Sequence, residues 1–229
     1  MAIPAFQQKA FVSGSSSCAY ASDNLAGSLL VCLGYFTNNG ASTFSDTNNG
    51  AWTEFSFSPF NSGASLQQRA FYFANAKAGP NTVSFSRADA TRLVIAEWTG
   101  VKTISPIDVQ TAAATGPGNT DPAAPILTVP AGHINDLILF FASQGGAATS
   151  VSSTGGGFTL RAFDTAINTC DISDQVGSAG TFTGSQVWAS KQPWGAASAA
   201  FLNNAPTGGG GSSSWLTVAL ANSLRGLRH

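Results

Sequence analysis

The chain has 229 residues, of which 43% are hydrophobic and only 9% are charged, and its formal net charge is −1. This much apolar surface excludes a disordered chain and predicts one folded domain over residues 1–229. The ten Lys and Arg residues are scattered singly, so no basic stripe is present and nucleic acid is excluded as a partner. No apolar run reaches about 18 residues, which excludes a helical membrane span.

The first half of the chain is organised around residues 28–55. Leu29–Phe36 is apolar on both alternating faces, which is typical of a strand covered on both sides. Asn38-Asn39-Gly40 and Asn48-Asn49-Gly50 then predict tight turns, because Asn and Gly tolerate positive φ. The other strands predicted up to residue 99 are Gln7–Val12, Ser42–Asp46, Ala51–Phe57, Gln67–Asn75, Thr82–Ser86 and Thr91–Thr99.

Residues 100–131 contain five prolines, which interrupt any continuous ladder of backbone hydrogen bonds. The segment is either a linker between domains or a crossover within one domain. We favour the crossover, because each half alone would expose sheet edges and a hydrophobic face.

The second half repeats the plan of the first, so we expect related halves at residues 28–99 and 136–221. Residues 136–163 copy the strand and turn order of residues 28–55, with glycines in place of the Asn-Gly turns. Residues 191–211 depart from this plan and predict an inserted surface loop, with a short helical turn at 196–202. The predicted strands are Asp136–Ala142, Cys170–Val176, Thr181–Ser190 and Trp215–Ala221.

These patterns predict an all-β protein. Two internally related halves with about twelve strands would form a two-sheet, jelly-roll-like sandwich.

The sequence predicts no catalytic residue, no cofactor and no metal ligand. His133 and His229 are far apart, and neither G-x-S-x-G nor H-E-x-x-H is present. His133 follows Pro130-Ala-Gly, which indicates a loop histidine in solvent.

Among the carboxylates, Glu97 is notable because it lies in an apolar strand, where a charge must be paired or its pKa rises. The sequence leaves open a buried ion pair with Arg69 or Arg92, or a catalytic acid. Glu54 and Asp46 flank a turn, and a pair of carboxylates across a sugar would make a glycosidase.

Asp46-Thr-Asn-Asn-Gly50 begins like a calcium-binding loop, but its glycine comes one position early and no glutamate lies at the twelfth position. Residues 46–50 therefore predict a turn.

Trp194 and Phe201 lie in the predicted surface loop and are the candidate contacts for a partner or a glycan, since exposed loop aromatics often bind ligands. Trp52, Trp98, Trp188 and Trp215 lie in predicted strands and are expected in the core. Cys18, Cys32 and Cys170 match no zinc spacing and are expected to be free thiols.

An ordered series of motifs in residues 25–221 resembles a widespread family of β-sandwich domains in bacteriophage structural proteins and bacterial surface or secreted proteins. The motifs are Gly27-Ser-Leu-Leu-Val, Thr43-Phe-Ser-Asp-Thr-Asn-Asn-Gly-Ala-Trp-Thr, Phe71-Tyr-Phe-Ala-Asn-Ala-Lys-Ala-Gly-Pro-Asn-Thr-Val-Ser-Phe, Leu93-Val-Ile-Ala-Glu-Trp-Thr-Gly, Asp136-Leu-Ile-Leu, Gly157-Phe-Thr, Asp174-Gln-Val and the strand from Trp215. The family lacks an insert like residues 191–211 and supplies no catalytic residues.

The resemblance implies a non-enzymatic component of a phage particle, such as a capsid decoration, head-fibre or tail-associated protein. Its partners would be the virion proteins of a capsid or tail lattice, with homo-oligomers left open. Residues 1–9 lack the features of a secretion signal, so the signal has been removed or the protein assembles in the host cytoplasm. The alternatives are a carbohydrate-binding or adhesin domain that contacts a cell-surface glycan outside the cell, and a β-sandwich glycoside hydrolase or lyase.

Overall fold

The structure is a computed structural model that describes residues 3–37, 40–61, 67–87, 90–145, 151–164 and 170–204. These residues are all-β: they contain twenty strands and no helix, and every strand pairing is antiparallel. The predicted number of about twelve strands is too low, because several segments of two to four residues pair separately. Among these residues, none forms a helix long and apolar enough to cross a bilayer.

The first half forms one large and one small sheet. The first central sheet has the order β1-β10-β3-β8-β6, with β7 also paired to β8, and the first outer sheet has the order β2-β9-β4-β5. These strands are β1 (Ala5–Ser13), β2 (Ser17–Ala19), β3 (Leu29–Phe36), β4 (Phe44–Asp46), β5 (Gly50–Ala51), β6 (Thr53–Glu54), β7 (Phe60–Asn61), β8 (Gln67–Phe73), β9 (Thr82–Phe85) and β10 (Ala90–Thr99).

The second half forms one large sheet and two separate strand pairs. The second central sheet has the order β11-β20-β14-β17-β16, with β12 also paired to β20, and two strand pairs, β13-β18 and β15-β19, lie outside it. These strands are β11 (Ile107–Gln110), β12 (Ala114–Gly116), β13 (Leu127–Val129), β14 (Asp136–Gln144), β15 (Val151–Gly155), β16 (Thr159–Asp164), β17 (Cys170–Gly177), β18 (Gly180–Phe182), β19 (Ser185–Trp188) and β20 (Trp194–Phe201).

Three hydrophobic clusters hold these sheets in four layers. The middle cluster packs the two central sheets face to face, with Leu33 of β3 and Phe141 of β14 among its members. A second cluster lies between the first central and first outer sheets, and a third lies between the second central sheet and its outer strands. The sequence predicted two sheets, whereas the described residues form five antiparallel sheets.

This layering explains the two strands that are apolar on both faces. Every residue of β3 and β14 is buried. Alternate residues of β14 point into different clusters: Leu139 belongs to the middle cluster, whereas Phe140 belongs to the outer one. The prediction that residues 29–36 form a strand covered on both sides is confirmed.

The predicted surface loop at residues 191–211 is wrong for its described part. Residues 194–201 form β20, which lies between β14 and the edge strands β11 and β12 and is buried throughout. The same strand replaces the helical turn expected at 196–202. The predicted strand Trp215–Ala221 lies outside the described residues.

The prolines of residues 100–131 do not prevent strand formation. β11, β12 and β13 lie within this segment, and β11 and β12 pair with β20 at the edge of the second central sheet. The prolines fall outside these three strands, as backbone hydrogen bonding requires.

Candidate functional site

The structure places Trp194 and Phe201, the predicted partner or glycan contacts, inside the protein. Trp194 is 8% exposed and donates a hydrogen bond from Nε1 to Oγ1 of Thr120 at 2.9 Å. Phe201 is 0% exposed and packs against Phe55 in the middle cluster. The expectation that these two aromatics are exposed is therefore wrong, because their segment is a central strand.

Glu97 is fully buried, as predicted, but its partners are neutral. Gln8 donates to Oε2 at 2.6 Å, Asn24 donates to Oε2 at 2.9 Å, and the Leu25 amide donates to Oε1 at 2.7 Å. The expected ion pair with Arg69 or Arg92 is wrong. A carboxylate that accepts three hydrogen bonds in this way fixes the loop of residues 24–25 against β10.

Arg69 pairs instead with Glu54. Its Nε lies 2.8 Å from Oε1 and its second terminal nitrogen lies 2.6 Å from Oε2, which is a bidentate geometry. Ser58 also donates to Glu54, at 2.6 Å. Glu54 is thus engaged in holding β6 and β8 together.

Asp46 forms the core of a turn, as the sequence predicts. Its carboxylate accepts backbone hydrogen bonds from residues 48, 49 and 50, and side-chain hydrogen bonds from Asn49, Trp52 and Asn81. Partial burial by itself would raise the pKa of Asp46, but the hydrogen bonds from Asn49, Asn81 and the Gly50 amide outweigh it and lower the pKa. These donors belong to the turn, to Trp52 just beyond it and to Asn81 next to β9, so the carboxylate serves a structural role.

A buried hydrogen bond connects the two halves. Nε1 of Trp98, on β10, donates to Oδ2 of Asp174, on β17, at 2.6 Å. Arg161 donates to Oδ1 of Asp174 at 2.7 Å and lies over the ring of Phe6. Phe6, Arg161 and Asp174 also line a groove of about 480 Å³.

A cluster of Asp108, His133 and Asp136 is the one group of possible metal ligands found among the described residues. Nδ1 of His133 lies 3.0 Å from Oδ2 of Asp108 and 3.4 Å from Oδ2 of Asp136. One ligand atom from each residue lies within 4.8 Å of the others. Two carboxylates and an imidazole thus face one another at the edge of the second central sheet.

The fold positions these three residues by local devices. Asp108 is the extra residue of a β-bulge, since Ile107 pairs with Phe201 and Val109 with its neighbour. Bulges redirect a side chain out of the regular pleat. Asp136 begins β14 directly after Asn135, whose φ is +55°, and the left-handed conformation turns the chain into the strand.

The residues of the cluster differ in their exposure to solvent. Asp136 is 1% exposed, whereas the His133 side chain is 32% exposed. Burial raises the pKa of Asp136 and the charge of Asp108 raises it further, whereas the Asn203 amide and the His133 imidazole act to lower it. The site therefore has a buried floor and one side open to solvent.

The sequence did not predict this cluster. His133 lies in a loop, as expected, but its side chain is only partly exposed and lies between two carboxylates. Asp108 is separated from His133 by 25 residues, so spacing gives no indication of the contact. The only local signal is the His-x-x-Asp spacing from residue 133 to residue 136. Cys18, Cys32 and Cys170 are buried free thiols and contribute nothing to the cluster.

Comparisons with protein-family models, with curated proteins and with solved structures find no match to this chain.

Proposed function

We propose that the protein is a non-enzymatic structural component of a bacteriophage particle, as a capsid decoration, head-fibre or tail-associated protein. The observation that supports this most is the strand order of the two halves, taken together with the family resemblance of residues 25–221. In the particle, an edge or loop surface would be buried against the capsid or tail lattice.

The strand order of the first half supports a jelly-roll-like unit. Without the two-residue strands β6 and β7, the first half has eight strands. Numbered along the chain, they form one sheet in the order first-eighth-third-sixth (β1-β10-β3-β8) and another in the order second-seventh-fourth-fifth (β2-β9-β4-β5). We infer that each half is a jelly-roll-like unit and that the second arose by duplication of the first. Jelly rolls occur in viral capsid proteins and lectins. By analogy with the capsid proteins, this fold is compatible with a component of a phage particle.

The packing of the two units suits a scaffold. The middle cluster joins both central sheets through large aromatic side chains, with the rings of Phe55 and Phe141 5.2 Å apart. Each unit thus covers the inner face of the other, and the two share one packed core. A rigid component with few charged side chains is well adapted to remain folded outside cells.

The proposal is tested by quantitative mass spectrometry of gradient-purified particles from the source culture, with immunogold electron microscopy. We expect a fixed number of copies relative to the major shell protein, retained after a high-salt wash. A host protein of similar size and abundance in the same lysate serves as the control. Absence from purified particles would overturn the proposal.

The glycan-binding alternative depended on Trp194 and Phe201. Both are buried, so no specific observation favours it, and the particle component remains our proposal.

A further inference from the structure

We propose that Asp108, His133 and Asp136 form a binding site for one divalent transition-metal ion, of which Zn²⁺ is the reference. The site would lie between β11, the loop before β14 and the first residue of β14. Water would complete the coordination on the side open to solvent.

The spacing of the three residues matches a coordination sphere. Zn²⁺ binds imidazole nitrogen and carboxylate oxygen at about 2.0–2.2 Å, so two ligand atoms of a tetrahedron lie about 3.3–3.6 Å apart. The nitrogen of His133 lies 3.0 Å from the carboxylate of Asp108 and 3.4 Å from that of Asp136. Small side-chain rotations would place all three atoms around one ion.

The hydrogen bonding of Asp136 independently favours a cation at this site. Its Oδ1 accepts a hydrogen bond from the Asn203 amide at 3.3 Å, whereas its buried Oδ2 lies 3.4 Å from Nδ1 of His133 and forms no well-aligned hydrogen bond among the described residues. A proton on Nδ1 of His133 is directed at the nearer carboxylate, that of Asp108. A buried oxygen without a donor is costly, and a metal ion between the three side chains would satisfy it.

The loop that carries His133 is held in place by its backbone. The His133 carbonyl accepts a hydrogen bond from the Ala179 amide at 2.9 Å, and the Asn203 side chain donates to the Ile134 carbonyl at 2.7 Å. Asn203 thus supports both the loop and the Asp136 carboxylate. Such support orients ligands before the metal binds.

The equivalent place in the first half carries neutral residues. Gln7 is the extra residue of the matching bulge in β1, where Asp108 lies in β11. Ser28 comes directly before Leu29 of β3, as Asp136 comes directly before Leu137 of β14, and Leu25 lies three residues before Ser28. The second half therefore carries three possible metal ligands where the first half carries neutral residues. The strands of the first half form without such side chains, so strand formation does not require them.

The ligand set selects among metals. Imidazole suits Zn²⁺ and other first-row transition metals, whereas Ca²⁺ and Mg²⁺ are bound by oxygen ligands. Competing thiolate sites are suppressed, since all three cysteines are buried and burial raises the pKa of Cys18 to about 11.

The test is isothermal titration of the full chain, without a histidine tag, with ZnCl₂ after removal of metals by a chelator. We expect about one Zn²⁺ per chain and a Tm that rises with Zn²⁺ concentration, as mass action requires. His133→Ala and Asp108→Asn should each weaken binding by more than about tenfold, because the loss of a ligand costs at least as much as the loss of its support.

His229→Ala is the matched control, because His229 is the other histidine of the chain, and it should bind like the wild type. Circular dichroism of the metal-free variants checks that each is folded, and two separate ligand variants keep the test decisive if one is not. Three results would each overturn the proposal: no saturable Zn²⁺ binding by the wild type, unchanged binding in both ligand variants, or equal affinity for Ca²⁺.

Discussion

Phe141 provides the sharpest test of the shared core between the two halves. Its side chain is 0% exposed, and its ring lies 5.2 Å from that of Phe55 and 5.3 Å from that of Phe57, across the two central sheets. Phe141→Ala should lower the free energy of unfolding by about 3–5 kcal/mol, since it removes a buried ring and leaves a cavity. For a chain of this size that corresponds to a fall in Tm of about 10 °C.

The assay is urea unfolding followed by tryptophan fluorescence and far-ultraviolet circular dichroism, with Phe11→Ala as the matched control. Phe11 is 56% exposed on β1, so its loss should change stability by less than about 1 kcal/mol. Both probes should follow one transition, because each half covers the core of the other. A loss no larger than that of the control, or separate transitions for the two probes, would refute the reasoning.

Three further predictions concern the polar and thiol groups. Asp174→Asn should lower stability by about 1–3 kcal/mol in urea unfolding, because it weakens the buried hydrogen bond from Trp98; an unchanged midpoint would contradict this. The pKa of Asp46 is lower in the folded than in the unfolded chain. The contribution of Asp46 to folding stability is therefore complete above the pKa of the unfolded chain and is lost as pH falls through the pKa of the folded chain. Thermal melts between about pH 5 and pH 2 should therefore show a smaller loss of Tm in Asp46→Asn than in the wild type, and parallel curves would argue against it. All three cysteines are buried, and burial raises the pKa of Cys18. At mildly alkaline pH, iodoacetamide should therefore label them in guanidinium but not in the native protein, as measured by mass spectrometry. Labelling of the native protein would refute their burial.

The sequence predicted those features that depend on local pattern. The double-sided apolar run of β3 identified a strand covered on both faces, because side chains alternate along any strand whatever its partners. Asp46 was predicted to form a turn from the residues that follow it, since an aspartate oxygen reaches the amides two to four positions later. Related halves at residues 28–99 and 136–221 were predicted on the same basis, from a repeated local order of strands and turns.

Only the tertiary structure decided which segments lie at the centre. β20, with the sequence WGAASAAF, is poor in the branched and aromatic residues that mark strands, so its composition predicted a loop. The packing of this strand instead constrains its neighbour: at Gly116, on β12, a Cβ atom would lie 2.3 Å from the ring of Trp194. The close approach is a property of two strands 78 residues apart (194 minus 116) and has no local signature.

The cluster of Asp108, His133 and Asp136 was decided in the same way. The bulge that redirects Asp108 exists only where β11 pairs with β20, and the pairing brings that residue to the loop that carries His133. A histidine that looked solvated in the sequence thus becomes half-buried between two carboxylates. The alternation of side chains along a strand and the formation of turns depend on neighbouring residues, so the sequence can predict them. Strand pairing joins residues far apart in the chain, and it is this pairing that brings the residues of the candidate metal site together.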